Sequence, residues 1–325
     1  MEHPPGTLLI FLSILACGRE RNQTAEGSDS ARHFQLSQLA VDSVPAPAVA
    51  DSSLVVDSSF TAAPDSPLVL FLVDAQDSGR YLIDPIALIA ADQLKKPPVG
   101  EMDDSAANTF RRTFYGRGQG YRVLGGGNEL GFAAAGAALE PGCYGLEGSA
   151  HLKLAARAPK GEALFATNDA RIRRDAVTRR PLSGEDRELL YNRIGQVLAD
   201  SGVPSTFRGH SFMIAGARIE ARGAHPFIIG TLDVDSTENG GDRVISVLLV
   251  LDSTAAGYRQ TLLTYHNGLE ANAESEQLID ALEIDGTDPP ELITRTTFYE
   301  WYTYTVYQRK PSGWQSWYTG GGAGC

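Results

Sequence analysis

Cysteine, methionine and tryptophan are scarce in this chain, three of each in 325 residues. Three cysteines are too few for a dense disulfide scaffold. The six histidines stand apart, so no pair has the spacing that places two imidazoles on one helix face. Neither G-x-x-x-x-G-K-[ST] nor G-x-S-x-G occurs, and the glycines of "YGRGQG" (115–120) and "LGGGNELG" (124–131) depart from G-x-G-x-x-G. The chain therefore lacks the signatures of a phosphate cradle, a nucleophile elbow and a dinucleotide turn. His210 and Ser211 are neighbours, but adjacency does not supply the geometry of a base and a nucleophile. No apolar run reaches the ~20 residues of a membrane-spanning helix. Basic residues are outnumbered 28 to 40, for a net charge of −12, which argues against nucleic acid or an anionic lipid surface as partner.

What is present begins at the N-terminus. Thr7 to Ala16 form an apolar stretch of signal-peptide length, ending in Ile14-Leu15-Ala16-Cys17. Residues 17–66 are then rich in Ser, Ala, Asp and Pro, a composition that buries too little apolar surface to offset the entropy of ordering. That stretch reads as a flexible polar tether. Hydrophobic content of 42% assigns the remainder to a folded body.

The Ile14–Cys17 run resembles the lipobox of bacterial lipoproteins. The resemblance implies removal of residues 1–16, lipidation of Cys17 as the new N-terminus, and attachment to a membrane of the bacterial cell envelope. Gly18 after the cysteine implies the outer membrane. A plain secretory signal with a coincidental cysteine is the other reading. If Cys17 carries lipid, Cys143 and Cys325 remain as an even pair, and an oxidising compartment predicts a disulfide between them.

The body reads as mainly β in two sections, 67–180 and 181–325. "LVLFLV" (68–73) is a continuous apolar run that suits a strand covered on both faces. "GYRVLGGGNELGFAAAG" (120–136) predicts a hairpin around Gly125-Gly126-Gly127-Asn128. One amphipathic helix is expected over about 183–201, with Ser183 as cap, Leu189, Leu190, Ile194, Val197 and Leu198 on its apolar face, and Gly202 and Pro204 as stop signals. Strands return in "PFIIGTLDV", "RVISVLLVLD" and "ELITRTTFYEWYTYTVYQRK". The aromatics of 298–307 suit either a carbohydrate platform or ordinary strands, which favour such residues.

Two acidic stretches stand between strand-like runs. In "LEIDGTDPPELITR" (282–295), Glu283, Asp285, Thr287 and Glu291 occupy relative positions 1, 3, 5 and 9. In "GTLDVDSTENGGDRVISV" (230–247), Asp233, Asp235 and Thr237 stand at 1, 3 and 5, and Asp242 follows one place late. Oxygen ligands at alternating positions are what a tightly curved calcium loop requires. The pair resembles the calcium loops of FG-GAP and VCBS-type repeats. That resemblance implies calcium at both loops and two related strand–loop–strand units; a closed propeller is not expected, since the further blades are missing. Acidic hairpins that hold no ion are the alternative.

Together these features predict a membrane-tethered exported lipoprotein with a non-enzymatic binding or structural role, an envelope protein or glycan being its partner. The runner-up is a secreted or tethered hydrolase acting on envelope polysaccharide or peptide, whose paired carboxylates need closeness in space and not in sequence.

Overall fold

The run Leu68–Val73 becomes the hub of a closed barrel. The computed structural model describes residues 67–324 except 77–79, 92, 99–104, 117, 127, 140–144, 157, 159–161, 173–176, 204–213, 222–223, 237–242, 270–271 and 287–288, and leaves the side chains of 235 and 236 undescribed. Residues 1–66 and all three cysteines thus lie outside it. Strand β1 (Leu68–Ala75) pairs antiparallel with β2 (Tyr81–Ala90) on one side and β7 (Leu164–Thr167) on the other. From β7 the ladder passes to β4 (Gly120–Gly125), β5 (Asn128–Ala138) and β6 (Gly148–Leu154), and β6 returns to β2. Six antiparallel strands therefore close on themselves, which removes the edges an open sheet would expose. The short β3 (Gln93–Lys95) hangs on β2.

The alternation of a strand explains why this run is apolar throughout. Val69, Phe71 and Val73 point into the barrel, while Leu70 and Leu72 point outward into a second core. Inside, Phe71 packs edge-on against Tyr121 with centroids 5.1 Å apart and against Phe114 at 6.4 Å. Phe114 belongs to α1 (Ser105–Phe114), a helix within the section that had read as strands alone. Its Ala107, Phe110 and Phe114 join the interior cluster, so the barrel is filled with side chains.

The second section holds two open sheets and the expected helix. Strands β8 (Val177–Pro181), β9 (Ala215–Ala221), β10 (Phe227–Ser236), β11 (Arg243–Thr254) and β12 (Gly257–Leu269) form a five-stranded antiparallel meander in the order β12-β11-β10-β9-β8. Because β8 pairs with β9, the second section starts near residue 177. Strands β13 (Ser275–Leu282), β14 (Glu291–Thr297), β15 (Tyr302–Lys310) and β16 (Gly313–Gly320) form a four-stranded sheet in sequence order. Helix α2 spans Gly184–Asp200, and the Ser183 hydroxyl accepts the Asp186 N–H at 3.0 Å, as a capping serine should.

The layers stack through four apolar cores. Leu190, Ile194 and Leu198 of α2 cover one face of the five-stranded sheet at Ile228, Val247 and Leu249. Its other face, with Ile229, Leu248 and Val250, meets Leu292, Tyr307 and Trp314 of the four-stranded sheet. The opposite face of that smaller sheet, carrying Ile293, Tyr304 and Val306, covers the outside of the barrel at Leu70, Ile86 and Phe165. Since Leu292 pairs with Tyr307 and Ile293 with Val306, each opposed pair shares one face, and the sheet is buried on both. The fold is thus mainly β, a barrel and two sheets in place of propeller blades.

Candidate functional site

The residues proposed for calcium come together only in part. Both acidic stretches do link antiparallel neighbours, β10 to β11 and β13 to β14. Asp233 and Asp235 nevertheless lie within the β10 ladder, opposite Ser246 and Val244, whereas Glu283 follows the end of β13. Asp233 is exposed and accepts the Gln277 side-chain N–H at 2.7 Å. Thr237, Asp242 and Thr287 lie outside the described residues.

In the second loop Glu283 and Glu291 are buried and Asp285 is exposed. Asp285 accepts the Gln308 amide at 2.6 Å, and Glu291 accepts the Ile284 backbone N–H at 2.8 Å. Burial pushes the Glu291 carboxyl up to about 8; the Asp285 charge adds to this and the Ile284 N–H opposes it. Among the described residues, no three His, Cys, Asp or Glu side chains form a group that could hold an ion. A calcium ion here would have to draw Glu291 away from Ile284 and complete its shell with groups such as Thr287. The electrostatics of the loop suit a cation, while its hydrogen bonding competes with one.

A cluster the sequence reading did not single out sits where the four-stranded sheet docks on the barrel. Asp84 lies on β2 in "YLIDPIALIA", an acid inside an apolar run. It is 3% exposed and turned toward the small sheet. Its Oδ2 accepts the hydroxyl of Tyr302 at 2.7 Å and that of Tyr304, while Oδ1 has no hydrogen-bond partner among the described residues. Glu147 Oε1 stands 3.3 Å from the Tyr302 hydroxyl, and the Arg295 guanidinium lies 5.5 Å from the Tyr302 ring centre. Burial raises the Asp84 carboxyl to about 7, and Glu147 and Asp74 push in the same direction against the two tyrosines. Asp84 thus holds or releases a proton near neutrality, inside a seam between layers.

The next two residues shape the same seam. The β1–β2 register jumps from Leu70↔Ala87 to Phe71↔Pro85, leaving Ile86 bulged out of the ladder. The freed Ile86 carbonyl accepts the Tyr318 hydroxyl at 2.8 Å. Gly321, at φ +67°, passes so close that an added Cβ would stand 2.5 Å from the carbonyl oxygens of both Pro85 and Ile86. Proline suits this place because a bulge relieves the missing N–H.

Glu162 and Asp280 line a crevice beside Arg179 with room for about one water. Burial raises both carboxyls, and Arg179, 3.7 Å from Asp280 Oδ2, opposes this. The aromatic run 298–307 divides in two. Tyr304 and Tyr307 are buried between layers, whereas Tyr299 is 64% and Trp301 49% exposed at the β14–β15 turn. Phe298 and Trp301 stack there with centroids 3.7 Å apart and an interplanar angle of 5°. Alternation along a strand was the signal for the buried half; the exposed half falls on the turn.

Barrel, docking seam and stacked sheets define a layered, mainly β protein. No family model, curated protein or solved structure matches the chain.

Proposed function

We propose that this chain is an exported envelope protein, held to a membrane through lipidated Cys17, whose rigid β body binds a surface glycan by its aromatic turn. Its role in this reading is binding and not catalysis. The carrying observation is the Phe298–Trp301 stack beside exposed Tyr299 and Glu300. Flat ring faces offer an apolar plate for the C–H side of a sugar, and a carboxylate accepts its hydroxyls. Phe298 braces Trp301, so little side-chain entropy remains to be lost on binding.

The anchor is supported by Ile14–Cys17 and by the polar stretch that separates it from the first strand at Leu68. The test is co-sedimentation of the full chain with insoluble envelope polysaccharide. A Tyr299→Ala/Trp301→Ala variant with unchanged thermal midpoint is expected to stay in the supernatant. Equal pelleting of both proteins would end the glycan reading. In parallel, Cys17→Ser is expected to move the chain from the membrane to the soluble fraction, and unchanged fractionation would remove the anchor.

A further inference from the structure

Strand β12 is an edge of the five-stranded sheet, and it differs from the other edge, β8, in length and in lacking proline, with its one Arg and its one register shift confined to the half before Leu262. β8 has five residues, among them Arg179, Arg180 and Pro181. β12 has thirteen, with no proline, no lysine and no charged side chain but Arg259 and the ion-paired His266, and none of them is buried. Its neighbour β11 is buried from Ile245 to Asp252. Long, uncharged edges are templates for another strand, and natural sheets usually blunt them with charge, proline or brevity.

The geometry along β12 is regular from Leu262 to Leu269, where its register with β11 runs unbroken from Val250 to Arg243. The irregularity lies before this segment, at Thr261, whose carbonyl is approached by Gly313 of the small sheet. Among the described residues, no backbone hydrogen bond outside the β11 ladder engages residues 262–269. Leu263 and Leu269 are 37% and 62% exposed, and their even separation puts both on the face that carries α2. They are the only leucines besides Leu139 among the exposed large hydrophobic side chains of the described residues.

We propose that β12 pairs antiparallel with β12 of a second copy, joining the two five-stranded sheets edge to edge. A two-fold axis normal to the sheet keeps like faces together, so opposed residues must have the same parity and the axis must pass through a residue. With the axis at His266, Leu263 of each copy lies opposite Leu269 of the other. Tyr265 then faces Asn267, and Thr264 faces Gly268. Both exposed leucines are covered twice over, and no Lys, Arg, Asp or Glu meets a like charge. Each His266 side chain is on the opposite face, 3.0 Å from Glu274 of its own chain. The second copy is favoured over a foreign strand because this one segment supplies both halves of the apolar match.

The test is sedimentation velocity of the full chain over a hundredfold concentration range, with the circular-dichroism midpoint as a control for folding. The wild-type chain is expected to shift from monomer to dimer with rising concentration. Leu263→Lys and Leu269→Glu, each with an unchanged midpoint, are expected to weaken the dimer at least tenfold. The double variant is expected to restore it, because the register brings each new lysine opposite a new glutamate. A wild-type chain that stays monomeric throughout overturns the proposal. So does a dimer indifferent to both single variants, and a double variant without rescue rejects the His266 axis.

Discussion

Tyr302 and Asp84, 218 positions apart in the chain, are joined by a 2.7 Å hydrogen bond across the seam between the small sheet and the barrel. Together with the Tyr304 hydroxyl on the same carboxyl oxygen, it makes a buried acid part of the joint between two layers. A buried ionised carboxylate is costly unless fully compensated. Two phenols supply donors, yet desolvation still outweighs them and leaves the carboxyl titrating at about 7.

The seam is therefore expected to weaken as the pH rises from acidic to neutral. The folded-state value for Asp84 lies above that of an unfolded chain, so the native state holds more protons between the two. Stability from this group is complete below about pH 4, falls as pH rises toward 7, and is flat beyond. The loss should amount to a few kcal/mol. Glu147 and Asp74 face Asp84 electrostatically, with Arg295 nearby on the small sheet. Urea midpoints at pH 4.5, 6 and 8 measure the slope. Asp84→Asn keeps a neutral acceptor for the tyrosines, so it should flatten the profile and exceed the wild type at pH 8. An equal slope in both proteins would place the titration elsewhere.

The barrel interior yields a second prediction. Phe71 has no exposed surface and touches the rings of Phe114, Tyr115 and Tyr121. Phe71→Ala removes a large side chain from a site fixed by strands on both sides and by α1, so collapse into the gap is limited. A loss of about 3–5 kcal/mol is expected in chemical denaturation. Tyr191→Ala, at an exposed position of α2, serves as the comparison and should cost under about 1 kcal/mol. Similar costs at both positions would mean that the interior is not packed as described.

How much of this was legible depended on whether the signal was local. Leu68–Val73, the hairpin at Gly125–Asn128 and the helix from Ser183 each announce themselves in a short window, by an apolar run, a turn or a cap. Helix α1 did not, because only Ala107, Phe110 and Phe114 of its ten residues are buried. Asp84 did not either, because an acid in an apolar run reads locally as a strand end. It is instead the residue before a bulge, and β2 continues to Ala90. Which layer meets which face depends on pairings across about two hundred positions, and no window of sequence contains them. The acidic loops were visible as spacing, but that spacing did not reveal that Asp233 stays on the strand or that Glu291 turns to Ile284.

A disulfide between Cys143 and Cys325, both outside the described residues, forms a third prediction. Glu147, four residues after one cysteine, has Oε1 3.3 Å from the Tyr302 hydroxyl. The Tyr302 N–H donates at 2.9 Å to the carbonyl of Ala323, two residues before the other. Glu147 and Ala323 thus contact opposite ends of one tyrosine, its hydroxyl and its backbone N–H. Alkylation of the unfolded, unreduced chain should leave these two thiols unmodified, and prior reduction should add two adducts. Closing so long a loop is credited with about 4–5 kcal/mol in the chain-entropy model, so reduction should also lower the thermal midpoint. Two adducts without reduction would sink the pairing.

The last prediction concerns calcium at the hairpin 283–291, which we propose as a weak, stabilising site. Glu283, Asp285 and Glu291 follow one another along this turn without forming a group that could hold an ion by themselves, and the Asp285 charge helps to keep Glu291 from ionising. A divalent cation would relieve that repulsion, but it must first displace the Ile284 N–H from Glu291. The competition limits affinity, so millimolar calcium is the range to test. At tenfold over the dissociation constant, native-state binding adds about 1.4 kcal/mol. Thermal unfolding of the full oxidised chain in EDTA, then in calcium, with magnesium as control, should show a calcium-specific rise that Asp285→Ala abolishes. A midpoint that ignores calcium would leave Glu291 bound to its own backbone and the loop an acidic turn, while barrel, seam and sheets would stand unchanged.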